Sequence, residues 1–240
     1  MSNYWAIAIG INQYQHFQPL LYAQWDAQAL WDYWVKEGGI PHHQCLLLTD
    51  GLADGQITDT DAPLTPTKEG IEKQLLQLGH HRLGTDDLVW CFFSGYGVNI
   101  QGQDYLVPLD ASLQQLEQTS ISAAQFFSIL QAFPTDRVLV LLDVKRMPGT
   151  GTEMRLGDDI ARQAQKSGMA TIVASQPDQL SYETLTLRQG LFTATVLEGL
   201  RTHGCSQLGQ LAQYVQNRLP ELSEYHWRPR QEAKNFPSDS

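Results

Sequence analysis

Cysteine is scarce in this chain. The three present, Cys45, Cys91 and Cys205, are far apart and form no CxxC pair, which argues against a disulfide framework or a thiolate metal knuckle. The apolar runs around Cys45 and Cys91 predict buried, inert thiols in a reducing compartment. Basic charge is scarce too: Lys plus Arg is 16 against 26 Asp plus Glu, for a net charge of −10. No basic stripe stands out, so nucleic acid is not an expected partner. No apolar run approaches the ~18 residues of a membrane span. The start, "MSNYWAIAIGIN", carries no basic leader ahead of its apolar residues, unlike a secretory signal. Internal repeats, low-complexity linkers, a glycine-rich cofactor loop and EF-hand spacing are also missing. Together these absences predict a soluble, cytoplasmic chain with no cofactor, no metal and no membrane partner.

What the sequence does contain is alternation. Apolar runs at Tyr4–Gly10, Cys45–Thr49, Asp87–Ser94, Arg137–Asp143 and Met169–Ser175 read as strands covered on both faces. Between them, Asp26–Glu37, Thr67–Leu78, Ser122–Gln131 and Asp158–Lys166 have helical character. Thr67 and either Ser120 or Ser122 are candidate N-caps. Later, "GLFTATVLEGLR" and "SQLGQLAQYVQNRL" have helical periodicity. Alternating strands and helices predict one α/β domain with a mostly parallel sheet. In such sheets function gathers at the carboxyl ends of strands. Here those ends are Gly10-Ile11-Asn12, the glycine turn Ser94-Gly95-Tyr96-Gly97, Asp143-Val144-Lys145-Arg146 and Ser175-Gln176.

The ordered blocks "YWAIAIGINQY", "LLYAQWDAQAL", "LLLTD", "DDLVWCFFSGYG", "DYLVPLDA", "VLVLLD" and "QGLFTATVLEGLR" resemble the caspase-like cysteine peptidases (peptidase family C14), in particular the bacterial orthocaspase branch of the metacaspases. The resemblance covers nearly the whole chain. It implies a caspase-hemoglobinase fold: a single αβα sandwich around a mostly parallel sheet of about six strands. It also implies a caspase-like domain over 1–230, with a p20-like part at 1–145 and a p10-like part at 146–230; the polar end of the chain, closing in "NFPSDS", reads as a loose tail at 231–240.

In that family one strand ends in S-G-H-G, whose histidine is the general base, and the next ends in D-x-C, whose cysteine is the nucleophile. The dyad works because imidazole accepts a proton near neutrality and a thiolate attacks carbonyls. The matching positions hold Tyr96 and Lys145. A phenol with a pKa of ~10 is a poor base at neutral pH, and an ammonium is no nucleophile unless its pKa is pulled far down. Through the resemblance, Gly95 and Gly97 fall in the oxyanion region. Asp26, Ser94 and Asp143 match the pocket that recognises Arg or Lys. Two carboxylates facing one pocket repel until a cation relieves them. Lys145 either supplies that cation or points outward from a strand-end loop.

The resemblance therefore implies a pseudo-peptidase that binds a basic peptide or protein, or regulates an active relative, as a monomer. The alternatives are a peptidase with an unrecognised nucleophile and another reaction at Tyr96 and Lys145. Without a nucleophile, the loop "RMPGTGTEMRLGDD", with Arg146 and Arg155, is expected to stay uncut. Asp86, Asp87, Asp104, Asp110, Asp158 and Asp159 are scattered acids without calcium-loop spacing. Trp25, Trp31 and Trp34 form a helical-period set expected in the core. The locally basic "HWRPRQEAKNF" reads as structural, with partner docking as the lesser option.

Overall fold

The computed structural model describes residues 3–51, 64–148, 156–202, 204–205 and 207–237. In chain order the elements are β1 (Tyr4–Gly10), α1 (Ala23–Lys36), β2 (Cys45–Thr49), α2 (Lys68–His81), β3 (Leu88–Ile100), β4 (Gln103–Leu106), α3 (Leu116–Thr119), β5 (Ile121–Ser122), α4 (Ala123–Gln131) and β6 (Val138–Arg146). They continue with α5 (Asp158–Ser167), β7 (Ala170–Val173), β8 (Glu183–Thr184), β9 (Gln189–Gly190), α6 (Leu191–Thr202), α7 (Leu208–Tyr225) and β10 (Lys234–Phe236).

The main sheet runs β10-β7-β6-β3-β1-β2. All neighbours on this path are parallel except the β10–β7 pair, so the expected mostly parallel sheet of about six strands is what forms. β4 and β5 extend it from the far end of β3. Alternation along each strand decides which layer a residue joins. Trp5, Ile7 and Ile9 of β1, Cys91 and Phe93 of β3, and Val140 and Leu142 of β6 pack with Ile71 and Leu75 of α2 and Phe126 of α4. Ala6, Ala8, Phe92, Leu139 and Leu141 face the opposite layer, with Leu30 and Trp34 of α1, Val196 of α6 and Val215 of α7. Both faces are therefore dry, which is why the strands read as continuous apolar runs.

Thr67 caps α2 by accepting from Gly70 N at 3.0 Å, and Ser122 caps α4 by accepting from Gln125 N at 3.1 Å. Ser120 does not cap; its hydroxyl is buried without a partner among the described residues. Of the tryptophan set, Trp31 and Trp34 are buried and Trp25 is exposed.

Three boundaries differ from expectation. α1 begins at Ala23, so Asp26 lies inside its first turn. β3 and β6 do not end at Ser94 and Asp143; they stay paired through Gly97↔Arg146. The expected glycine turn is thus extended strand, and the actual reversal comes at Gln101-Gly102, where φ is +53° and +85°. The glycines lie in strand because the chain passes here from one partner, β6, to another, β4, without breaking its ladder. Finally, of the segment 231–240 expected to be a loose tail, the described residues 231–237 contain β10 and the fully buried Gln231. Gln231, Glu232 and the Asn235 side-chain amide make internal hydrogen bonds, which composition cannot distinguish from solvation. Arg155 and most of the loop after β6 lie outside the described residues.

Among the described residues no helix is long and apolar enough to cross a membrane, and no three His, Cys, Asp or Glu side chains are grouped to hold a metal ion.

Candidate functional site

The carboxyl ends of β3 and β6 lie side by side, with Ser94 paired to Asp143 and Tyr96 to Lys145. Leu139, Leu141, Asp143 and Lys145 alternate along β6, so the last two continue the row that α1 covers. That places them under Asp26, in the first turn of α1. Asp26, Ser94 and Asp143 have no exposed surface, and Lys145 is 4% exposed.

The Lys145 ammonium lies inside this group. It donates to Ser94 Oγ at 2.7 Å and Asp143 Oδ2 at 2.8 Å and stands 3.5 Å from Asp26 Oδ2. Of the ammonium's three N–H donors, two are hydrogen-bonded, and the charge also faces the Asp26 carboxylate as an ion pair. The acids are hydrogen-bonded as well. Asp26 Oδ2 accepts from Ser94 Oγ at 3.3 Å, Asp26 Oδ1 accepts from Gly190 N at 2.8 Å, and Asp143 Oδ1 accepts from Ser181 Oγ. Gly190 roofs the site: a Cβ there would lie 2.8 Å from Asp26 Oδ2 and 2.9 Å from Asp143 Oδ2, so only glycine fits. The β8–β9 hairpin that ends in Gly190 is fixed by Glu183, whose carboxylate accepts from Leu21 N and Tyr22 N, each at 3.0 Å.

The electrostatics follow from burial. Desolvation pushes Asp26 up to about 7, against the pull of Lys145 and with the push of Asp143. Burial draws Lys145 down, but Asp143 and Asp26 outweigh it and hold the ammonium above its ordinary range. The cation is therefore permanent at neutral pH and carries no lone pair for nucleophilic or Schiff-base chemistry.

Tyr96 is 5% exposed. Its amide donates to Tyr14 Oη at 2.6 Å, and the two rings lie 5.0 Å apart. Burial raises both phenols above their ordinary range, so neither is a base at neutral pH. The Tyr14 hydroxyl fills the space above Gly95, 2.7 Å from where a Cβ would stand. Gly97 O accepts from Met147 N and Tyr96 O from Val107 N, so these backbone groups belong to the fold's own ladder. Cys91 and Cys45 are buried, and desolvation pushes both thiols up to about 12.

The structure thus brings together Asp26, Ser94, Asp143 and Lys145, and sets Tyr96 beside them. Sequence reasoning missed Tyr14, Ser181, Glu183 and Gly190. Tyr14 and Glu183 lie outside the strand-end motifs, and nothing in their local spacing marks them.

The Caspase domain family (Peptidase C14) matches residues 3–238, and the chain belongs to that family. No curated protein matches the sequence. Solved structures share the fold at low identity. The crystal structure of protein GSU0716 from Geobacter sulfurreducens is 14% identical, with a TM-score of 0.64 over 99% of this chain and 94% of that one. Caspase-1 from Spodoptera frugiperda is also 14% identical, with a TM-score of 0.54 over 98% and 86%.

Proposed function

We propose that this caspase-domain chain is a pseudo-peptidase that acts by interaction, as a scaffold or regulator, rather than by cutting. The observation that carries the reading is the Lys145 ammonium, buried between Asp143, Ser94 and Asp26. By family resemblance, the first position needed is a cysteine, and the three side chains around it receive an Arg or Lys of the substrate. One residue therefore removes the nucleophile and also occupies the cation pocket. Tyr96 completes the loss, because a buried phenol cannot take up the nucleophile's proton at neutral pH. The buried thiols of Cys91 and Cys45 do not support a substitute nucleophile.

A basic partner has no access to this pocket while Lys145 fills it, because a second cation would have to displace an ammonium already buried against Asp143, Ser94 and Asp26. Partner binding is therefore assigned to other surfaces.

Peptidase assays on Arg- and Lys-ended fluorogenic peptides, with wild type and the Tyr96→His/Lys145→Cys double variant, test the reading. A silent wild type supports it, and activity in the double variant adds that the pocket and oxyanion region survive. An active wild type, or a purified chain recovered in two pieces cut after Arg146 or Arg155, overturns it.

A further inference from the structure

The amino ends of the strands, opposite Lys145, border a cavity of about 410 Å³, a size typical of small-molecule sites. Its floor is one row of the sheet. Tyr4 pairs with Leu88, Trp90 with Leu139, and Leu139 with Ala170. Leu88 and Trp90 are two residues apart on β3, so they and their partners share a face. Leu139 and Ala170 are buried and Trp90 is half-buried. Ala170 contributes only a methyl group to this floor, and Leu208 and Leu211 of α7 form a wall above it.

The polar groups that border the cavity are available to a ligand. Asp136 and Arg137 are both exposed, and neither forms an ion pair among the described residues. Arg137 Nη1 donates to Asp86 O at 2.9 Å, which leaves its other N–H groups unused. The Asp136 carboxylate, the Tyr4 hydroxyl and the Trp90 indole N–H make no hydrogen bond among the described residues. The half-buried Cys205 thiol also borders the space. A flat apolar floor with an indole in it favours an aromatic ring over an alkyl chain. One acid and one base in the lining cancel, so a charged ligand gains from one what it loses to the other. A neutral ring with both an N–H and a carbonyl can use both, donating to Asp136 and accepting from Arg137 or the indole.

We propose that this cavity binds a neutral, planar aromatic molecule whose polar edge carries one donor and one acceptor, such as an aryl amide. The site lies roughly 20 Å from Lys145 along β6, at ~3.3 Å per residue, and shares no residue with the Lys145 cluster. The proposal therefore stands whether or not the domain cuts peptides.

The test uses the whole chain and three probes on one bicyclic frame: naphthamide, which is neutral, naphthoate, an anion, and naphthamidine, a cation. Saturation-transfer NMR measures binding, and the labelling rate of Cys205 by a thiol reagent reports where the probe sits. The amide should bind best. At about ten times its dissociation constant it should slow Cys205 labelling roughly tenfold, since only the free chain reacts. Ala170→Leu fills the cavity from the floor and should abolish the signal. Leu208→Trp fills it from the opposite wall, without asking β7 to accept a larger side chain, and should do the same; thermal melts confirm that each variant is folded. No saturable signal from the amide up to about 1 mM, unchanged Cys205 labelling, equal or tighter binding of either charged probe, or binding retained in a folded variant would each overturn the proposal.

Discussion

Lys145 and Asp143 are two residues apart on one strand, and their side chains meet at 2.8 Å with almost no exposed surface on either. Two such neighbours on an ordinary strand would point to the same face and remain solvated. Here α1 and the β8–β9 hairpin close over them, and the pair becomes the centre of a sealed polar cluster. The stability of the closed site therefore depends on keeping its charges matched.

Removing only the cation should be costly. Lys145→Met leaves Asp26 and Asp143 buried without their counter-charge and is expected to destabilise by ~3–5 kcal/mol, as for other broken buried ion pairs. Adding Asp143→Asn and Asp26→Asn to Lys145→Met should recover much of that loss, because hydrogen-bonded neutral groups replace an uncompensated charge. Urea denaturation of the single and triple variants measures the difference.

The pH dependence has a definite sign. Asp26 titrates in the fold at about 7, against ~3.9 when unfolded, so the native state holds the extra proton in between. Its contribution is present in full below the unfolded value and is lost as pH rises through the folded one. Lys145, held above its ordinary ~10.5, contributes a constant amount across this window and loses it only in alkali. Wild type should therefore lose stability relative to Asp26→Asn between about pH 4 and pH 7. A flat difference in denaturation midpoints would remove Asp26 as the titrating group.

Tyr14 and Gly95 should couple. Gly95→Ala drives a methyl towards the Tyr14 hydroxyl and the Phe93 ring, and Tyr14→Phe strips the acceptor from Tyr96 N, at a cost of ~1–3 kcal/mol for an unmet buried amide. The double variant should be less destabilised than the sum of the singles, because the lost hydroxyl makes room for the added methyl. A double-mutant cycle measures this, and strict additivity would mean that the two side chains do not share one space.

Thiol accessibility should separate the three cysteines. Cys45 and Cys91 are buried and Cys205 is partly exposed, so a thiol reagent should label Cys205 alone in the native chain and all three after denaturation. Rapid native labelling of Cys91 would reopen the search for a nucleophile beside Tyr96.

The sequence by itself determined the alternation of strands and helices, the parallel sheet and the cap at Thr67, and it left Ser120 and Ser122 both as candidates for the cap of α4. These are matters of periodicity and side-chain chemistry, which are written locally. It also placed Asp26, Ser94 and Asp143 together through family resemblance, though not the direction of Lys145, which two residues of spacing left free. Only the tertiary structure decided that. α1 supplies Asp26, the β8–β9 hairpin supplies Gly190, and Ser181 comes from the strap before it, so the walls that exclude water arrive from segments more than a hundred residues apart along the chain. The strand character of Gly95 to Gly97 and the placement of β10 likewise depend on partners distant in sequence. Burial is a property of the assembled layers, and it is burial that turns a lysine and two aspartates into a closed ionic site.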